Sequence, residues 1–152
     1  MLYVLTSPTV YRKLKDEIED TIRRGHLSSP ATNEEAKKLP YLQAVLNEGI
    51  RMVPPAITGF SKRVPAGGDT ICGKLVPGGT DIMVNMCEMV RNKDVFGDDA
   101  DRFRPERFLD CDDETKARRF KVMDLAFGHG RWMCPGKNLA WIQLNKIFVE
   151  VS

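Results

Sequence analysis

Apolar residues along this chain keep helical spacing near both ends and lose it in the middle. Ser7 and Pro8 form a start signal, a capping residue followed by a proline whose missing N–H would have no partner at the first helical position. Val10, Leu14, Ile18 and Ile22 then recur at every fourth residue. A helix is predicted that buries this face and ends near Gly25, with Arg23 and Arg24 complementing its dipole. Residues 26–38 are polar and read as a connector in which Thr32, Asn33, Glu34 and Glu35 cap a short turn and His26 is an exposed loop histidine. A second helix is predicted over residues 40–53, with Leu42, Val45, Leu46, Ile50 and Val53 on one stripe and Pro54-Pro55 as its stop.

The pattern changes after residue 57. Short alternating runs at 58–64, 69–72, 74–76 and 81–85 lie between glycine and proline breaks, which predicts a small antiparallel sheet of hairpins. Residues 86–91 suggest a short helix. Residues 92–124 are charged and weakly periodic, and 110–121 in particular read as a solvated, mobile face. Helical spacing returns in Leu139, Ala140, Leu144, Ile147, Phe148 and Val151. The fold class is therefore mainly α with a small antiparallel β-sheet, in one domain spanning residues 1–152.

Composition narrows the function classes. With 42% hydrophobic and 29% charged residues the chain is ordinary globular protein, and a net charge of +2 is too mild to argue for a nucleic-acid partner. Cys72, Cys87, Cys111 and Cys134 include no C-x-x-C pair, and His26 and His129 are the only histidines, so zinc and iron–sulfur frameworks are poorly supported. A core of this size does not need disulfides, which fits a reducing environment. The opening MLYVLT lacks a basic lead and a cleavage site, and no run is long enough to span a bilayer, so any membrane anchor of a parent protein is expected outside this chain. The glycine turns do not make a phosphate loop.

Candidate chemistry concentrates in residues 127–136, FGHGRWMCPG. Cys134 ends a glycine-punctuated loop just before a helical segment, and Pro135 suits the first turn of that helix, whose free N–H groups would stabilise a thiolate. Gly128, Gly130 and Gly136 let the backbone bend and a flat macrocycle lie close. Arg131 offers a fixed charge to a carboxylate such as a haem propionate, and Phe127 is placed to shield one side of the sulfur. Taken alone, Cys134 reads first as a buried free cysteine in a turn before a core helix, and it is the residues around it that favour a ligand.

The loop resembles the haem-binding signature of the cytochrome P-450 family, F-x-x-G-x-R-x-C-x-G, through Phe127, Gly130, Cys134 and Gly136, with Arg131 as its arginine and Ala140 as the alanine that comes after it. Two further motifs stand in the family's order: Glu48-x-x-Arg51 and the P-E-R-F run at Pro105, Glu106, Arg107 and Phe108. By itself Glu48-x-x-Arg51 is weak, because Glu88 and Arg91 repeat it and an exposed ion pair would share its spacing. The resemblance implies that Glu48, Arg51 and Arg107 form a buried structural triad that locks the Cys134 loop. It further implies an ordered meander after residue 92, pinned by Arg107 and anchored by Phe96, Phe103 and Phe108. Arg63 matches a position where members place an arginine on a haem propionate, and an exposed strand cation is the alternative.

For the fold, the resemblance implies a C-terminal fragment of the cytochrome P-450 fold. For the chemistry, it implies a haem-thiolate monooxygenase segment using haem b (iron protoporphyrin IX), with Cys134 as proximal ligand, a small organic substrate, and electrons from a reductase that uses a nicotinamide cofactor. Complete members are longer, so the chain is expected to carry the proximal half of the haem site and to lack the distal proton-delivery residues. The alternative is a non-catalytic truncated fragment or pseudoenzyme that binds haem weakly or not at all.

Overall fold

Proline opens both of the helices that carry the first core. The computed structural model describes residues 1–57 and 60–151. A one-turn helix α1 (Leu2–Leu5) leads into α2 (Pro8–Arg23), then α3 (Asn33–Ala36) and α4 (Pro40–Met52). Val10, Leu14 and Ile18 of α2 share a core cluster with Leu42, Val45 and Leu46 of α4. Ile22 does not join them and is exposed. At about 100° per residue a four-residue repeat drifts by about 40° each time, so the third repeat has turned about 120° from Val10.

Ser7 stands at the cap position of α2 without using its side chain, and it is the Ser7 carbonyl that accepts the Tyr11 N–H. Thr32 does cap α3, in a reciprocal box. Its hydroxyl accepts the Glu35 N–H while the Glu35 carboxylate accepts the Thr32 N–H at 2.8 Å. Helix α4 is buried on nearly all sides, because the face opposite its apolar stripe lies under the 3-10 turn Pro105–Phe108. Val53 lies beyond its end and is exposed.

The sheet region is two separate antiparallel pairs and not one sheet. β1 (Lys62–Arg63) pairs with β4 (Asp81–Ile82) in the register Lys62 to Ile82 and Arg63 to Asp81. β2 (Asp69–Ile71) pairs with β3 (Lys74–Val76). Pro65 and Pro77 cut the strands short because proline cannot donate to a ladder. Cys72 and Gly73 make the tight turn between β2 and β3 with φ of +50° and +76°. Residues 58 and 59 of the first expected strand lie outside the described residues.

After β4 come α5 (Met86–Val90), α6 (Lys93–Phe96), the 3-10 turn, α7 (Asp113–Leu125) and α8 (Lys137–Glu150). Helix α7 corrects the expectation of a mobile face over 110–121. The Asp112 carboxylate caps it through the Thr115 N–H at 2.8 Å, and Asp113 and Glu114 occupy the positive end of its dipole. Its apolar spacing is weak because Met123 is the one residue among those described that it buries.

Met86, Val90, Phe96, Ala100, Phe108, Met123, Ala126 and Phe127 form a second core with Ala44 and Ile50 of α4. Helix α4 thus divides two cores, and α8 touches both through Trp141 and Leu144. Phe103 is half-buried and stacks on Tyr3 at 5.2 Å. No helix among the described residues is long and apolar enough to cross a membrane.

Candidate functional site

Helix α7 delivers the chain to residue 127 and α8 takes it away after residue 136, so the candidate loop is held at both ends. Phe127 turns into the second core with its ring 6.2 Å from that of Trp141. Its carbonyl accepts the Cys134 N–H at 2.7 Å, which closes the loop onto its own root. Gly128 has φ +81°, and a Cβ there would drive into the backbone of Trp132, so this close approach requires glycine. Gly130 opens the 3-10 turn Gly130–Trp132 with φ +57°.

Cys134 is exposed, and it is a free thiol, as are Cys72, Cys87 and Cys111. Its sulfur is not lost in the aliphatic core. A Cβ on Gly136 would stand 3.7 Å from that sulfur. Trp132, Met133, Leu139 and Ile142 along the same stretch are apolar and exposed. Ala140 is half-buried and packs against the second core.

Several details differ from the expectation. Pro135 does not open the helix; Gly136 is its cap and Lys137 its first residue, and the Lys137 N–H bonds the Cys134 carbonyl at 3.3 Å. Phe127 serves as an anchor in the core, and it leaves Cys134 open to solvent. Arg131 places its guanidinium 4.9 Å from the centre of the Trp132 ring. Position matters here too: the signature's arginine falls two residues before the cysteine, where this chain has Trp132, and Arg131 stands one residue earlier. The match in register therefore rests on Phe127, Gly130, Cys134, Gly136 and Ala140.

Arg63 forms a two-point ion pair with Asp81 across β1 and β4, both bonds at 3.0 Å, and stays largely exposed. Its neighbour Lys62 reaches the loop, with its ammonium 5.9 Å from the Trp132 ring centre.

Between α4 and the 3-10 turn Pro105–Phe108 lies a fully buried charge cluster. Glu48, Arg51 and Arg107 are each 0% exposed. The Glu48 carboxylate accepts Arg51 Nε at 2.8 Å and Nη2 at 2.9 Å, Arg107 Nε at 3.0 Å, and the Arg104 N–H at 2.7 Å. The remaining guanidinium donors bond carbonyls of Val90, Ala100 and Arg102 from Arg51, and of Phe96, Asp99 and Arg102 from Arg107. This saturation is what makes the burial tolerable. The meander between α6 and α7 is ordered around these two arginines, and the carbonyl of Arg107 is in turn bonded by Arg119 of α7.

Four contributors are not apparent from sequence spacing. Asp99 bonds Arg104 at 2.6 Å and Arg107 at 3.0 Å, and these arginines, Arg104 foremost, hold its carboxyl down to about 2. Glu17 of α2 accepts the N–H groups of Tyr41 and Leu42, each at 2.8 Å, and so caps α4 from another helix. Burial raises the Glu17 pKa against those two bonds. Glu106 joins α2 to α4 through Lys13 at 2.7 Å and the Tyr41 hydroxyl at 2.9 Å. Asn145, 1% exposed, sits within α8 between two other amides. Among the described residues no three His, Cys, Asp or Glu side chains gather into a metal cage.

Comparison with known proteins places this geometry in context. The family model for cytochrome P-450 matches residues 1–151. Similar proteins include the cytochrome P-450 monooxygenase abl1 of Leptosphaeria maculans, 46% identical over 150 residues that cover 99% of this chain and 26% of that protein. The cytochrome P-450 monooxygenase aba1 of Botryotinia fuckeliana is 45% identical over 151 residues, 99% of this chain and 30% of that protein. ABA1 of Pyricularia oryzae is 43% identical, with the same two shares. The chain spans less than a third of the length of these relatives.

Proposed function

This chain belongs to the cytochrome P-450 family, and on that premise we propose that its 127–136 loop is the proximal side of a haem-thiolate monooxygenase site with Cys134 as the iron ligand. The observation that carries this reading is an exposed, unpaired thiol at the end of a loop fastened by the Phe127 carbonyl on one side and α8 on the other. Haem iron would need a single thiolate from the protein and no cage of ligands, and Cys134 is free to supply it. The exposed apolar side chains of Trp132, Met133, Leu139 and Ile142 suit the face of a macrocycle better than they suit water. No C-x-x-C-H run is present for covalent attachment, which favours haem b held without thioether bonds.

Held through the Cys134 thiolate, haem would supply dioxygen activation, in which one oxygen atom would go to a small organic substrate and the other to water on electrons from a reductase that uses a nicotinamide cofactor. The part of this chain in that chemistry is to hold and orient. Gly136 keeps side-chain bulk away from the sulfur, Gly128 lets the loop close on the Trp132 backbone, and Arg131 and Arg63 are candidate partners for the propionates. For Arg63 that role requires exchanging its bond to Asp81. Glu48, Arg51 and Arg107 act as a structural lock on the meander that leads into α7 and so to the loop.

Adding haemin to the purified chain and reading its spectrum with carbon monoxide tests the ligand. A thiolate-type, red-shifted Soret band is expected for the native chain and not for Cys134→Ala. No band, or the same band in both, would overturn the assignment and leave a fragment that does not hold haem through this residue.

A further inference from the structure

We infer that Asn145 is a positioning residue that fixes the rotation and height of α8, and through α8 the position of the Cys134 thiol. This inference rests on the haem-thiolate reading for its spectroscopic consequence, though not for its structural one. Helix α8 is apolar on more than one side: Trp141, Leu144 and Phe148 face the cores while Leu139, Ile142 and Ile147 are exposed. An apolar helix of that kind can turn or slide with little change in the area it buries, because hydrophobic burial has no direction.

Asn145 supplies the direction. It is the buried polar residue of α8, and both ends of its amide are engaged. Its Oδ1 accepts from Gln43 Nε2 of α4 at 2.9 Å, and its Nδ2 donates to Asn33 Oδ1 of α3 at 2.9 Å. Gln43 Nε2 also donates to the Ala36 carbonyl at 3.1 Å, and the Glu150 carboxylate accepts the Ala31 N–H at 2.8 Å. These bonds tie the far half of α8 to residues 31–43. A rotation or a one-residue slip would leave the amide unpaired in a dry interior, which is how a single buried asparagine selects one register in other helical assemblies.

The register is passed on to the site because α8 is continuous with the loop. The Ala140 N–H bonds the Gly136 carbonyl at 2.9 Å, and the Lys137 N–H bonds that of Cys134. From residue 145 back to residue 137 the rigid rise is about 12 Å at about 1.5 Å per residue. A shift at one end therefore reappears undiminished at the other.

The test compares the native chain with Asn145→Leu, which keeps the size of the side chain and removes the amide. Amide hydrogen exchange on the chain without haem is the first readout. Exchange at Cys134 is expected to quicken roughly tenfold as a net hydrogen bond's worth of register is lost, while Leu14 and Val45 in the first core keep their protection. The second readout is the thiolate-type Soret band with haemin, expected to fall relative to total bound haem. Unchanged exchange at Cys134 in folded Asn145→Leu would overturn the inference. Should that variant not fold, Gln43→Met breaks the same amide chain from α4 and is judged by the same exchange criterion. If the native chain takes up no haem, the ligand assignment fails while the exchange result still decides this one.

Discussion

Glu48 gathers the buried charge of the fold, since Arg51, Arg107 and the Arg104 backbone all converge on its carboxylate at 3.0 Å or less. Removing it would leave the buried Arg51 guanidinium without a counter-charge and Arg107 with Asp99 as its remaining one. The expected cost of Glu48→Ala is about 3–5 kcal/mol, the range for breaking a buried ion pair from one side. Urea unfolding of the native chain and the variant measures it directly, and a loss below about 1 kcal/mol, the value of a surface pair, would mean that the cluster does not hold the meander. Arg51→Lys would be no conservative change, because the bonds to Val90, Ala100 and Arg102 need the guanidinium fork.

At the scale of elements, α4 depends on α2 for more than apolar contact. Its own cap residue is Leu39, which has no side-chain acceptor, and the carboxylate that receives the Tyr41 and Leu42 N–H groups comes from Glu17. This is a helix cap supplied by tertiary structure. Glu17→Ala should cost about 1–2 kcal/mol, at the upper end for a cap because two donors are left unpaired in a half-buried place. Circular dichroism on thermal melting is the check, with Glu17→Gln expected to retain part of the stability through its one remaining acceptor. Helix α7 shows the opposite arrangement. Asp112, Asp113 and Glu114 form a start signal contained within the helix's own cap and first turn.

For the whole molecule, part of the pH dependence of stability comes from a carboxylate held ionised by arginines. That group is Asp99, with Arg104 and Arg107 holding its carboxyl down to about 2 against an unfolded value of about 3.9. A folded-state pKa below the unfolded one stabilises the fold fully above about pH 4, and the stabilisation fades as pH falls toward 2. Acid titration followed by tryptophan fluorescence should show a smaller pH dependence between about 4 and 2 in Asp99→Asn than in the native chain. An identical profile would show that Asp99 does not contribute to acid stability.

Local chemistry is legible in the linear order of residues. The proline starts at Pro8 and Pro40, the cap from Thr32 and the glycine break at Gly73 each act within a few positions, and the corresponding elements are present where that chemistry puts them, while the helix expected at Pro135 begins two residues later. What spacing does not show is which face meets which. Ile22 and Val53 continue their stripes on paper but fall outside the core, and α4 is buried on its polar side because the Pro105–Phe108 turn lies over it. Helix α7 lacks a readable stripe because it buries little of itself. Asp99, Glu17 and Asn145 are ordinary polar residues until the fold brings Arg104, the start of α4 and Gln43 within 3 Å of them. The sequence determined the class of the fold and the loop that bears the thiol, because both depend on short-range backbone preferences. Tertiary structure alone decided which polar groups are buried together, because desolvation and hydrogen bonding act between residues far apart in the chain.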